Sequence, residues 1–256
     1  MSTPTPERAE GPGTSAPPPT NTPVARLAGA LPVAAAFIAL AIGVLVTQET
    51  YESVQTGRGA AAFDEPVQQW MVAHRTPWLD TAATWFTNLG GKVGMTVLAT
   101  VTVLALARWW RTWTPVLLMV CATAGSLTLT ALGKELTARA RPPAAQAVPP
   151  LETSASFPSG HTLNAVLVTA IIGYLVLLHV RRRRARVITW CGLALFATLI
   201  GLSRIYLGHH WLTDVIAGAA VGGAWAMAVI LGHRLYLRRA RRPATAPVSG
   251  RHTSSL

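Results

Sequence analysis

Apolar residues come in six long runs, near positions 27–46, 89–107, 115–133, 162–180, 187–202 and 211–232, each closed by charged or polar residues. A bilayer core of about 30 Å takes roughly 17–25 helical residues to cross. The first, third, fourth and sixth runs meet that length outright. The second is interrupted by Lys92 and the fifth is short, so both are expected to borrow flanking residues or to tilt. Residues 47–88 carry a different pattern. Asp64-Glu65-Pro66 has the acidic and proline chemistry of a helix start, and Phe63, Val67, Trp70 and Met71 recur at helical spacing. Thr76-Pro77-Trp78 opens a second such segment, continued by Leu79, Trp85 and Phe86. Amphipathic stretches with Trp suit the membrane interface, as a packing lid or as a guide for lipid. The pattern predicts an all-α fold: a six-transmembrane-helix bundle with an interfacial amphipathic segment between the first two spans.

Composition agrees with lipid as the solvent. Only 12% of the residues are charged, against about 25% in soluble domains. A net charge of +12 raises the question of nucleic acid. Here the basic residues sit in short bursts between apolar runs, with no basic stripe on a polar fold, so the expected partner is the bilayer and not a nucleic acid. Residues 1–25, rich in Pro, Thr, Ser and Gly, and the basic stretch 236–256 are expected to be disordered tails around a membrane domain at 26–235. The chain does not open with the layout of a signal peptide. Cys121 and Cys191 lack metal or redox spacing and read as small buried hydrophobes. Gly218-x3-Gly222 reads as a close helix contact, within the bundle or across a dimer seam, which leaves the oligomeric state open.

Arginine and lysine set the orientation. With the N-terminus inside, Arg8, Arg26, Arg108, Arg111, the five arginines within 181–186 and the six within 234–251 face the cytoplasm, which is 15 of the 22 basic residues. The run at 181–184 reads as a topology anchor ahead of a lipid-headgroup site. Both termini of this multi-pass cell-membrane protein are then cytoplasmic. Arg58, Arg75, Lys92, Lys134, Arg139, Arg141 and Arg204 face outside.

Three patches put ionisable residues at the edge of the membrane, where they mark function. They are Lys134-x6-Arg141-Pro142 at the end of the third span, Pro158-Ser159-Gly160-His161 before the fourth, and Ser203-Arg204-x5-His210-x3-Asp214 joining the fifth to the sixth. In the expected topology all three share the outer face. Lys134, Arg141 and Arg204 bring three fixed positive charges and many N–H donors, met nearby only by Glu135, Glu152 and Asp214, and arginine's planar fork suits a polyanion such as phosphate. Lys134 and Arg141, seven apart, can share a helix face, and Pro142 marks where the chain turns into the loop. Ser159-Gly160 ahead of a helix offers backbone N–H groups to an anion. His210 and Asp214, four apart, can pair so that the carboxylate holds one imidazole nitrogen and frees the other to attack. His161, from another span, can protonate a leaving oxygen. Taken singly, a cation at a helix end is a snorkelling anchor and Gly160 a turn; His179 and His209 read as interfacial or packing residues. The coincidence of the three patches on one face outweighs those readings.

In residues and spacing, the three patches resemble the signature of the type-2 phosphatidic acid phosphatase (lipid phosphate phosphatase) superfamily, which also includes vanadium haloperoxidases; the resemblance covers about residues 27–233. It implies a six-helix membrane fold with an outer-face active site, a phosphohistidine at His210, positioning by Asp214 and acid catalysis by His161. Phosphate would be held by Lys134, Arg141, Ser159, Gly160 and Arg204, with neither a metal nor another cofactor. The expected partner is a lipid phosphate: phosphatidic acid, phosphatidylglycerol phosphate or a polyprenyl diphosphate. The competing classes are a vanadate-dependent haloperoxidase, against which the six apolar spans argue, and an idle lipid-binding or transport protein, against which the intact His161, His210 and Asp214 argue. Transfer of the phosphoryl group to an acceptor other than water remains open.

Overall fold

The computed structural model describes residues 23–240; the rest of the two expected tails lies outside the described residues. Eight α-helices run in order: α1 (Pro23–Thr56), α2 (Asp64–Ala73), α3 (Pro77–Gly90), α4 (Lys92–Trp110), α5 (Thr114–Thr137), α6 (Gly160–Leu177), α7 (Arg183–Tyr206) and α8 (Leu212–Ala240). Six of them, α1 and α4 to α8, are long and apolar enough to cross a membrane. The two spans that look compromised in the sequence are repaired at their ends. Lys92 begins α4 instead of interrupting it, and α7 extends to 24 residues, about 36 Å at 1.5 Å per residue.

α6 forms the centre, packed by α4, α5, α7 and α8, while α1 leans on α8. Its leucines and isoleucines, Leu163, Leu167, Ile171 and Leu175, are fully buried. The peripheral helices instead turn large apolar side chains outward, Phe37, Val97, Leu117, Leu127 and Ile188 among them. That is the reverse of a soluble protein and fits contact with lipid chains. Cys121 and Cys191 belong to this outer surface and are exposed. The expectation that they are buried fails because an apolar run in a membrane helix covers the lipid face as well as the core.

Two glycines explain how α8 approaches α6. A Cβ on Gly218 would fall 2.6 Å from the Ser159 carbonyl oxygen, and one on Gly222 2.5 Å from that of Leu163. Both obstacles are backbone, so only glycine fits. Of the two readings of Gly218-x3-Gly222, the contact within the bundle is the one found.

α2 and α3 lie between the first two spans and pack on the bundle. α2 contacts α7 and α8, and α3 contacts α4, α6 and α7. Arg75, in the turn between them, donates to the carbonyl oxygens of Tyr206 and Gln146, and the Tyr206 hydroxyl donates to Asp80. Trp70, Trp78 and Trp85 face outward, as interfacial tryptophans do.

Candidate active site

Alternation of the spans brings four helix ends together: the C-termini of α5 and α7 and the N-termini of α6 and α8. The arginine-rich ends of α4 and α8 and the turn before α7 lie at the opposite end of the bundle. α5 stops at Thr137, where Ala138 takes a left-handed conformation (φ 44°) and donates its N–H to the Lys134 carbonyl. Arg141 therefore sits beyond the helix, not on its face with Lys134, yet the loop returns it to the same site.

His210 precedes α8, in a turn where Gly208 adopts φ +74° and the His209 and His210 N–H groups donate to the Arg204 carbonyl. The imidazole is fully buried, with Nδ1 3.5 Å from Asp214 Oδ2 and Nε2 3.2 Å from Arg141 Nη1. A guanidinium only donates, so Nε2 carries the lone pair and Nδ1 the proton that faces the carboxylate. Asp214 Oδ2 also accepts from Trp211 N at 2.9 Å and from the Ser156 hydroxyl. Burial pushes the His210 imidazole down to about 4, with the Asp214 hydrogen bond and charge opposing the shift. It is neutral near pH 7, as a nucleophile must be.

Of the three cations, Arg141 lies against Nε2, and Lys134 and Arg204 bond the surrounding loop and α3. Arg141 Nη1 donates to the His209 carbonyl at 2.5 Å, and Lys134 Nζ donates to Ser154 Oγ at 3.2 Å and to the Ala155 carbonyl. Buried Arg204 donates to Thr87 Oγ1 at 3.3 Å, while its Nε has no hydrogen-bond partner among the described residues. Arg141 and Arg204 share one further partner. The Glu152 carboxylate, from the loop between α5 and α6, lies 2.7 Å from Arg141 Nη2 with one oxygen and bonds Arg204 with the other. Burial raises the Glu152 pKa, but Arg204 and then Arg141 outweigh it and hold the group at about 2. A cavity of about 910 Å³ opens in front, lined by Lys134, Glu152, Gly160, His161 and His210. His161, in the first turn of α6, shares the wall of this cavity with His210. Below it an apolar groove of about 460 Å³ runs between α4 and α5 and shares Lys92, Leu127 and Asn164 with the cavity wall.

Over 162 residues the chain is 33% identical to phosphatidylglycerophosphatase B of Bacillus subtilis, which covers 62% of this chain and 77% of that protein. Residues 115–238 match the sequence description of the PAP2 superfamily. The chain belongs to the PAP2 superfamily. A crystal structure of a transmembrane PAP2-type phosphatidylglycerolphosphate phosphatase from Bacillus subtilis superposes with a TM-score of 0.68 at 26% identity, over 79% of this chain and 98% of that one. A shorter stretch of 83 residues is 35% identical to undecaprenyl-diphosphatase BcrC of Bacillus subtilis, over 32% of this chain and 35% of that protein. As a PAP2 chain with six apolar helices, the protein is a membrane phosphatase.

Seven of the eight residues singled out in the sequence lie around one cavity and the ion pairs behind it. Ser159 is the exception in its side chain: the hydroxyl accepts from Thr162 Oγ1 at 3.0 Å and is fully buried, off the cavity wall. Three residues that the motifs do not single out, Asp64, Arg139 and Ser156, bond to the candidate site or its partners, and Glu152, named in the sequence only as a nearby carboxylate, pairs with Arg141 and Arg204. Glu152 and Ser156 come from a loop without periodicity. Arg139 reads as one more outside charge, and Asp64 as a local helix start. His209, a packing residue as expected, is buried against the Val148 carbonyl (2.7 Å), and burial followed by Arg204's charge lowers its pKa.

Proposed function

We propose that this PAP2 phosphatase is a metal-independent lipid phosphate phosphatase acting through a phosphohistidine at His210, on the extracytoplasmic side of the membrane. One observation carries the reading: the lone-pair nitrogen of His210 points at the Arg141 guanidinium, with Nδ1 turned to Asp214, across a cavity from His161. In the first step Nε2 attacks phosphorus. The N–P bond forms as the P–O bond to the lipid breaks, and the departing oxygen takes a proton from His161. Asp214 steadies the positive charge that the ring acquires. Water then attacks the phosphohistidine and gives its proton back to His161, releasing inorganic phosphate. Lys134, Arg141 and Arg204 neutralise the phosphoryl oxygens, with the Gly160 backbone at the start of α6, and perform the electrostatic task that a metal has in kinases. The unpaired Arg204 Nε is a donor available to such an oxygen.

The groove between α4 and α5 favours a lipid: a chain attached to a phosphate in the clamp would run along it into the bilayer. Phosphatidic acid, phosphatidylglycerol phosphate and polyprenyl diphosphates all have this form, and the relatives' names put the last two forward. The sidedness rests on the arginine-rich end of the bundle, opposite the site, being cytoplasmic. Phosphate release by purified protein from a panel of these three lipids in excess EDTA tests the chemistry. Activity should survive chelation, and a strict need for added Mg²⁺ or Zn²⁺ would sink the cationic clamp. In intact cells an impermeant thiol reagent should label Ala145→Cys; labelling only after permeabilisation inverts the orientation.

A further inference from the structure

Asp64 starts α2, which is not among the six helices long and apolar enough to cross a membrane, yet it is 5% exposed and points into the bundle. Every acceptor position it uses belongs to the catalytic end. Oδ1 accepts the Thr213 N–H at 2.8 Å, and Oδ2 accepts the Thr213 hydroxyl at 2.6 Å and Arg139 Nη2 at 2.6 Å. The other arm of the Arg139 fork, Nη1, donates to Asp214 Oδ1 at 2.6 Å and to Thr213 Oγ1 at 2.7 Å. Arg139 also lies over the Trp211 ring, 5.7 Å from its centroid. One guanidinium thus bridges two carboxylates, one from α2 and one from α8. Asp64 lies outside residues 115–238, the part of the chain that the superfamily description matches.

We propose that Asp64 and Arg139 are positioning residues for the phosphoryl-transfer step, holding Asp214 in place and preserving its negative charge opposite His210. The proposal rests on the reading of His210 as nucleophile. Two physical consequences follow from the bridge. With Oδ1 fixed by Arg139, the remaining oxygen of Asp214 is the one directed at His210 Nδ1. Charge is the second. When Nε2 bonds to phosphorus the ring becomes cationic, and it needs a net anion behind it. Arg139 paired with Asp214 alone would cancel that anion. Asp64 supplies the second carboxylate, so that the trio Asp64, Arg139 and Asp214 retains one net negative charge. This use also gives α2, a helix outside the six spans, a part in the chemistry.

The test is a double-mutant cycle on the full-length enzyme in detergent, with lipid phosphate as substrate. Asp64→Asn should lower kcat by roughly 10- to 100-fold, the scale of a misoriented catalytic group, and leave KM within about twofold because the clamp is untouched. Asp214→Asn keeps the nucleophile and the clamp and so keeps a measurable rate. In that background Asp64→Asn should cost less than about twofold more, since a residue acting through Asp214 has nothing left to act on. An unchanged kcat in the single variant overturns the proposal, and so does an equal loss in both backgrounds. If Asp64→Asn does not fold, Arg139→Lys, which keeps the charge but cannot bridge both carboxylates, is read in the same cycle. Activity surviving in His210→Ala would sink the nucleophile reading itself; an inactive His210→Ala with independent Asp64 and Asp214 losses sinks only the positioning role.

Discussion

Glu152 Oε2 lies 2.7 Å from Arg141 and its partner oxygen bonds Arg204, so the two guanidinium groups proposed to hold phosphate already hold a carboxylate. Substrate must displace it. Glu152→Gln should lower KM for the lipid phosphate by about tenfold, equivalent to about 1.4 kcal/mol, and should lower thermal stability at the same time because two ion pairs disappear. The pH dependence separates this group from the histidines. Glu152 has its pKa depressed from 4.5 to about 2, so its stabilisation is complete above 4.5 and is lost only as the pH falls towards 2. His210 is shifted from 6.5 to about 4, which means the unfolded chain takes up a proton first and stability falls between pH 6.5 and 4. The melting temperature of the wild type should therefore drop from pH 7.5 to 5.5, and Glu152→Gln should be lower by the same amount at both. A gap that closes at pH 5.5 would contradict the assignment. The charges themselves were legible, because Lys134, Arg204, His210 and Asp214 stand out against apolar neighbours. Their partners were not. Nothing in the spacing says that a fold brings Glu152 within 3 Å of Arg141 and Arg204, Arg139 within 3 Å of Asp214, or Asp64 within 3 Å of Arg139 and Thr213.

Helices were legible as lengths and not as faces. A soluble helix shows its buried stripe by period, but α4 and α6 are apolar all round, so the same pattern covers core and lipid contact. Cys121 and Cys191 therefore read as buried from their apolar runs although they face outward, and Gly218-x3-Gly222 takes its meaning only from α6, whose backbone it meets. The end of α5 also lies beside a tertiary contact: α5 stops before Arg139, whose fork is taken by Asp64 and Asp214. Close packing of α8 on α6 gives a prediction at this scale. Gly218→Ala meets the Ser159 carbonyl at 2.6 Å and should destabilise by about 1–3 kcal/mol, the usual cost of overpacking. It should also depress activity by shifting the start of α6, which carries His161. Gly232→Ala meets nothing within 4 Å and should be neutral or stabilising by up to about 1 kcal/mol. Equal melting temperatures for the two variants would refute the packing argument.

For the whole molecule, hydropathy carries the six-span count and the amphipathic pair α2 and α3 between the first two spans, because a bilayer imposes one length on every crossing segment. The way the spans pack is a different matter. Only the three motifs indicated that the ends of α5 to α8 meet, and no pattern placed α2 against α8. The assembled molecule is read as a bundle that holds a lipid's phosphate at one membrane surface and passes it through a histidine to water. Turnover of a ³²P-labelled lipid phosphate by the intact protein in EDTA, quenched within a single cycle under alkaline, denaturing conditions, tests that most directly. Label is expected on the wild-type protein at His210, disappearing as free phosphate rises, with no labelled protein from His210→Ala. Phosphate release with no labelled enzyme at any time, or label that persists in His210→Ala, would contradict it.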